Sequence, residues 1–395
     1  MLQQLHVHLP HYFSKHVSRK FISLGWSVGF MDLGQAAVLI FEPVFLYTLW
    51  QSIVPVLVFY LAVYLVYLFV LPFTSRLLAR LGLEHCIFYS HIFLVSYFIC
   101  LYAGAQFPLL LFIAPLLLAA QKMLYWPAFH IDFMLFADRG QRGREVSTLL
   151  AISSIMYVIG PLVGGVVVAK LGFAALFLFV SVLFLLSAIP LLRIKEIHLI
   201  QHIPYRSFFS RLFHRGNRDQ LYRYLGFGEE LIVMFLWPIF IYLIIKDFAV
   251  IGSIAAGATL LTTLIVLVIG KKTDSLARKY VSRYGIFGYM VSWVVRAAAT
   301  TSGFVFGLDV LSRLTKSMLF VPLMADMYDK STDDEPVAIA IFFEQALSIG
   351  KVLAAAGALV CVLIFENPWL PIFALAGLFT LLYLRGSSRV AHAKP

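Results

Sequence analysis

Charge in this chain is confined to short stretches between long apolar runs, and nearly all of the positive charge falls on alternate stretches. That pattern constrains the fold more than any motif does. Hydrophobic residues make up 61% of the 395, with 36 Phe among them, and a soluble domain of this length could not keep so much apolar surface dry. The chain therefore reads as an all-α polytopic membrane protein.

Twelve transmembrane helices are predicted, at 21–48, 52–73, 86–104, 106–133, 146–169, 171–191, 224–245, 248–270, 284–299, 302–326, 337–365 and 368–384. Most have the roughly 20 residues needed to cross about 30 Å of hydrocarbon. With the N-terminus inside, 24 of the 31 Lys and Arg fall on the cytoplasmic side, Lys170 and Lys246 on the other, and five within spans. Such a bias predicts that both termini are cytoplasmic and that the protein sits in the cell membrane. The formal net charge of +11 is then spread over loops facing anionic membrane lipids, so nucleic acid is not an expected partner. No signal-peptide pattern precedes the first span, and residues 1–20 read as a basic segment able to lie along the membrane surface. Cys86, Cys100 and Cys361 make neither a metal motif nor a disulfide framework.

The two halves of the sequence echo each other at an offset of 195. FEPVFLY, with Pro43, Phe45 and Tyr47, returns as LWPIFIY, with Pro238, Phe240 and Tyr242. Pro127 and Pro322 keep the same separation, and SRLLARLG from Ser75 has its counterpart in GKKTDSLARKY from Gly270. The expected organisation is an N-terminal segment (1–20), a six-helix bundle (21–191), a cytoplasmic linker (192–223), a second six-helix bundle (224–384) and a cytoplasmic tail (385–395). The linker carries Arg206, Arg211, Arg215 and Arg218 beside aromatics, the mark of an amphipathic segment at the membrane interface. Two bundles that start from the same side form a parallel duplication, common among secondary transporters.

With these features the chain resembles the major facilitator superfamily over nearly its whole length. The family's loop signature after the second span is G-x-L-A-D-R-x-G-R-K; here Leu77, Arg80 and Gly82 match, while Ser75 and Ala79 replace the Gly and Asp. The second copy keeps Gly270 and Asp274 and has Ser275 in place of the Arg. Gly160-Pro161-Leu162-Val163-Gly164-Gly165 resembles the family's G-P-x-x-G-G antiporter signature. The resemblance implies two pseudo-repeated six-helix bundles, a central cavity lined by spans one, four, seven and ten, and gating or packing roles for these residues. Packing of small residues against a neighbouring helix accounts equally for the glycine run.

A charge inside a span costs at least about 2.5 kcal/mol on insertion scales, so it faces protein or a wet cavity. Candidates for binding solute or for proton coupling are Asp32, Gln35 and Glu42 in span one and Gln121, Lys122 and Trp126 in span four. Trp237 and Tyr242 in span seven and Asp309, Arg313 and Lys316 in span ten complete the set. The last three share one helical face. Arg313 suits a carboxylate or phosphate; the competing reading is an internal pair with Asp309 that lets both be buried. Lys122 is expected to pair with Asp32. Asp32 and Glu42 lead as proton carriers, because a carboxylate exposed alternately to two sides can load and release a proton. Arg296 reads as a structural residue snorkelling to the interface, and Glu344 and Lys351 as partners of neighbouring helices. Trp50, Trp126, Trp293 and Trp369 fall near the expected span ends, where they can anchor at the interfaces, and core packing is the competing reading for Trp237.

The expected function is secondary active transport of a small organic solute by alternating access, coupled to protons, by a chain that works as a monomer. Export of amphipathic compounds is preferred, and an organic anion or sugar-type metabolite is the alternative substrate. No Walker sequence is present, and no cofactor or metal is expected. The competing classes are a transporter-derived receptor and a membrane-embedded lipid enzyme; for the latter His130, Asp132 and Asp138 come nearest to a catalytic cluster.

Overall fold

The computed structural model describes residues 19–136, 142–192, 198, 203–273, 278–329 and 336–385. Among them, all regular structure is helical. In chain order the N-terminal half holds α1 (Arg19–Val38), α2 (Phe41–Trp50), α3 (Ile53–Val70), α4 (Thr74–Leu81), α5 (Leu83–Gly104), α6 (Leu110–Phe136) and α7 (Arg142–Leu191). Then come α8 (Tyr205–Phe213), α9 (Arg218–Leu225), α10 (Gly228–Leu231), α11 (Trp237–Ile245) and α12 (Phe248–Thr273). They are followed by α13 (Arg278–Arg296), α14 (Ser302–Asp329), α15 (Pro336–Ile364) and α16 (Trp369–Leu382). Eight segments are long and apolar enough to cross a membrane.

One of these, α7, is a single helical run of 50 residues bent at Gly172, where φ is 82°. At about 1.5 Å per residue it is more than twice as long as a hydrocarbon core is thick. Its two arms lie side by side along α1. Gly160 and Gly164 in the first arm meet Ala36 and Ala37, while Phe184 in the second meets Gly34. Glycine permits the left-handed turn between them. This accounts for the two spans expected at 146–169 and 171–191. The ninth expected span, 284–299, is displaced: α13 begins at Arg278 and ends at Arg296.

The repeat reappears as backbone geometry. The first pass breaks at Leu39–Ile40, three residues before Pro43, and the seventh widens into a π turn at Ile232–Leu236, just before Pro238. Proline supplies no N–H to the preceding turn, and a break or a wider turn accommodates the loss. Both passes end alike. Gln51 (φ 51°) and Lys246 (φ 55°) are left-handed caps, and their N–H groups bond the carbonyls of Tyr47 and Tyr242. These cap residues repeat at the same offset as the prolines.

The two halves meet along two principal seams. In one, α7 packs on α12 through glycine: a Cβ on Gly165 would lie 2.5 Å from the Phe248 carbonyl oxygen, and one on Gly252 would collide with the Pro161 carbonyl. In the other, α3 packs on α15 through Tyr64, Tyr67, Glu344 and Lys351. The linker helix α8 lies beneath: Tyr205 Oη donates to the Phe69 carbonyl at 2.9 Å, and Phe208 and Leu212 are buried.

Candidate functional site

Between the halves lies a cavity of about 420 Å³. Its wall takes side chains from α3 and α6 on the N-terminal side and from α10 to α15 on the other. All five of the Lys and Arg expected inside spans, Lys122, Arg296, Arg313, Lys316 and Lys351, reach this wall. The cost of placing a cation in hydrocarbon explains why: each turns toward the protein interior, where partners and water are within reach.

Two of the five are neutralised. Lys316 forms an ion pair with Glu229 and lies 3.4 Å from Glu230 Oε1, and Lys351 lies 3.1 Å from Glu230 Oε2. Tyr289 Oη and Tyr383 Oη donate to Glu229 at 2.6 and 3.2 Å. Glu229 is fully buried, and Lys316 and the two tyrosines, each from a different pass, satisfy it.

The other three have weaker compensation. Lys122 sits over the Tyr64 ring at 5.4 Å, and no ion pair joins it to Asp32 among the described residues. That departs from the sequence expectation. Arg313 approaches Asp309 Oδ2 at 3.8 Å, a loose contact, while Asp309 Oδ1 accepts from Trp237 Nε1 at 2.8 Å. Arg296 stacks on Trp293 and Trp237, with centroid distances of 3.9 and 4.6 Å, and Nη2 donates to Ser312 Oγ at 2.8 Å. It is 1% exposed, so it does not snorkel.

At the linker end of the cavity, Glu344 ties three passes together. His130 Nε2 lies 2.9 Å from Oε1, Tyr67 Oη donates to Oε2 at 2.9 Å, and Tyr328 Oη is 3.1 Å from His130 Nδ1. Trp126 completes this end, stacked on His130. His130 thus serves a contact between the halves. Asp138, which an enzyme would need beside it, lies outside the described residues, and no metal-binding cluster of His, Cys, Asp or Glu occurs among those described.

Of the residues singled out by sequence, Lys122, Trp126, Trp237, Asp309, Arg313 and Lys316 line the cavity. Asp32, Gln35, Glu42, Gln121 and Tyr242 do not. Gln35 accepts from Tyr157 of α7 at 3.4 Å, and Gln121 is buried beside Lys122. Tyr242 packs across the repeat against Tyr47 at 6.4 Å. Glu42 is buried, and its Oε1 accepts from Tyr60 and Tyr97 at 2.9 and 2.6 Å. The Tyr60 ring stacks on Phe235 at 3.5 Å, so Glu42 is one side chain removed from the other half. Arg80 is exposed at the end of α4, where Gly82 turns the chain with φ 89°. Gly160, Pro161, Gly164 and Gly165 pack α7 onto α1 and α12. Gly270 lies within α12, and Asp274 is outside the described residues.

Arg296, Glu230, Glu344 and Lys351 are wall residues that sequence reasoning did not place there. The signal was present: every one is a charge inside an apolar run.

The sequence profile of the Major Facilitator Superfamily matches residues 22–218. No curated protein sequence matches the chain. Among solved structures, two crystal structures of the nucleoside transporter NupG resemble it. One, of a point mutant, gives a TM-score of 0.68 at 11% identity, covering 93% of this chain and 97% of that one. The other, of NupG, gives 0.66 at 16% identity, covering 93% and 98%. At these identities the likeness speaks to fold.

Proposed function

This chain belongs to the major facilitator superfamily and is a multi-pass membrane transporter, and from that premise we propose that it carries a small polar organic solute by proton-coupled alternating access. The observation that supports this most directly is the cavity itself, walled by charged side chains from both halves. A rocking motion of residues 21–191 against 224–384 would open it to each side in turn, with the 192–223 linker and both ends of the chain on the cytoplasmic side of the cell membrane. The carrier would act as a monomer, since the cavity is built within one chain.

Of the solute classes raised by sequence, the wall favours a polar or anionic one over a purely amphipathic compound. Lys122, Arg296 and Arg313, the three wall cations with weak compensation, would be a costly lining for an apolar cargo. Glu42 remains the leading proton carrier. Its tyrosine partner Tyr60 also touches Phe235 of the other half, so a change of charge on Glu42 would be felt where the halves meet. Asp32 is the second candidate.

Purified protein in liposomes, with an imposed proton gradient and a pH-sensitive dye inside, tests this. Organic anions, amphipathic amines and nucleosides form the panel, the last because the NupG fold neighbours are nucleoside transporters. A solute-dependent proton flux should appear and should be lost in Glu42→Gln. Solute movement without proton movement would end the coupling proposal and leave the carrier standing. If no labelled solute of any class moved, the carrier reading itself would fail.

A further inference from the structure

Resting on the carrier reading, we infer that Arg296 and Arg313 form an oxyanion site on the C-terminal wall of the cavity, and that the solute presents a carboxylate or phosphate to it. Arg296 is the decisive residue. Its side chain is buried, and no carboxylate lies within ion-pair distance of it among the described residues. Nη2 is used by Ser312, but Nε and Nη1 have no hydrogen-bond partner. Yet the residue lines the cavity.

An unpaired cation moved out of water loses its hydration, and the loss is only partly recovered when the protein relaxes. The two indole faces of Trp237 and Trp293 offset part of that cost through cation–π attraction. They hold the guanidinium plane in place without supplying an acceptor for its edge. Such an arrangement fixes a donor fork at the cavity wall with two buried N–H groups unsatisfied.

Arg313 adds a second fork nearby. Its side chain is 39% exposed, its Nε is unpartnered, and its 3.8 Å approach to Asp309 is too long for a hydrogen bond. Asp309 is already engaged by Trp237. Arg313 thus has one loosely placed carboxylate and Arg296 has none, whereas Lys316 and Lys351 are paired with Glu229 and Glu230. The surplus positive charge is local to the arginine pair. Planar forks of N–H donors fit a carboxylate or phosphate through two parallel bonds, which an ammonium group cannot do. Lys122, over Tyr64 in the other half, supplies a further positive charge across the cavity, with no ion-pair partner among the described residues.

Benzoate, phenyl phosphate and the neutral isostere benzamide serve as probes of the intact protein in detergent at constant ionic strength. Binding is read by tryptophan fluorescence, which Trp237 and Trp293 report from beside the site, and by thermal unfolding. Saturable responses to one or both anions and none to benzamide are expected, with the stronger anion identifying carboxylate or phosphate as the favoured group. Arg296→Gln and Arg313→Gln should each weaken the response at least tenfold. Arg296→Lys, which keeps the charge and loses the fork, should fall between, and Arg76→Gln on exposed α4 should match the wild type. Should Arg296→Gln fail to fold, Arg296→Lys and Arg313→Gln decide the question. Benzamide binding as well as benzoate, no response to either anion, or unweakened binding in the arginine variants would overturn the site. Loss of the anion response in protein whose liposomes still move a solute would reject this site alone. Anion binding without flux of any solute would reject the carrier reading and keep the site.

Discussion

The two seams that join the halves are equivalent in the internal repeat, yet they are built from opposite materials. Where α7 meets α12, backbone touches backbone: Gly165 and Gly252 leave no room for a side chain. Where α3 meets α15, large polar side chains fill the space, with Tyr67 on Glu344 and Lys351 over Tyr64. The repeat offset puts Leu57 on α3 at the place held by Gly252 on α12. A close apolar seam gains from dispersion and needs no partner to be deprotonated or hydrated. A polar seam can be opened and resealed by exchanging its hydrogen bonds for water. The duplicated helix plan thus carries a close glycine contact at one seam and a polar contact at the other.

The sharpest way to break this contrast is to overfill the close seam. Gly252→Leu would drive a side chain into the Pro161 carbonyl, a backbone atom with nowhere to go. The expected loss is about 3 kcal/mol, the upper end of overpacking costs. It should register as a large fall in thermal unfolding temperature in detergent. Melting at the wild-type temperature would mean that α7 and α12 are not in close contact in the folded protein.

The polar seam should lose less. Glu344→Ala leaves the imidazole of His130 and the hydroxyl of Tyr67 without their acceptor, at a cost of about 2 kcal/mol. Water entering the widened linker end can partly replace it. A larger loss than for Gly252→Leu would reverse the ranking and make the polar seam the permanent one.

Much of this architecture could be read before any coordinates. Span length and loop charge respond to bilayer thickness and lipid charge, which act on every residue of a run at once, so the helical passes emerge from averages. The repeat was equally open: Pro43 and Pro238 mark the irregular turns, and Tyr47 and Tyr242 end up in ring contact. The candidate site was visible as charges within spans, but not as a set of partners. Lys122 was expected on Asp32 and lies over Tyr64. Arg296 was expected at the interface and is buried between two indoles. Which way a side chain points depends on helix rotation and on residues far away in the chain, for which local spacing holds no signal. Glu42 makes the same point, since nothing in the sequence near it announces Tyr97.

The smallest expected effect tests the polar seam most finely. Tyr67→Phe removes one hydroxyl and keeps the ring, which is packed in the core. Interhelical hydrogen bonds within membrane proteins contribute on average about 0.6 kcal/mol, because the separated helices find other partners. Tyr67→Phe alone should therefore cost about that much. Combined with Glu344→Gln in a double-mutant cycle, it isolates the bond from the packing of the ring. A coupling near zero would place the adhesion of α3 to α15 in ring packing, making the two seams more alike than their chemistry suggests. A coupling above about 1.7 kcal/mol, the largest found for such bonds, would make the Tyr67–Glu344 bond itself the fastener. An intermediate value fits a seam made of several exchangeable contacts, none of which holds the halves together alone.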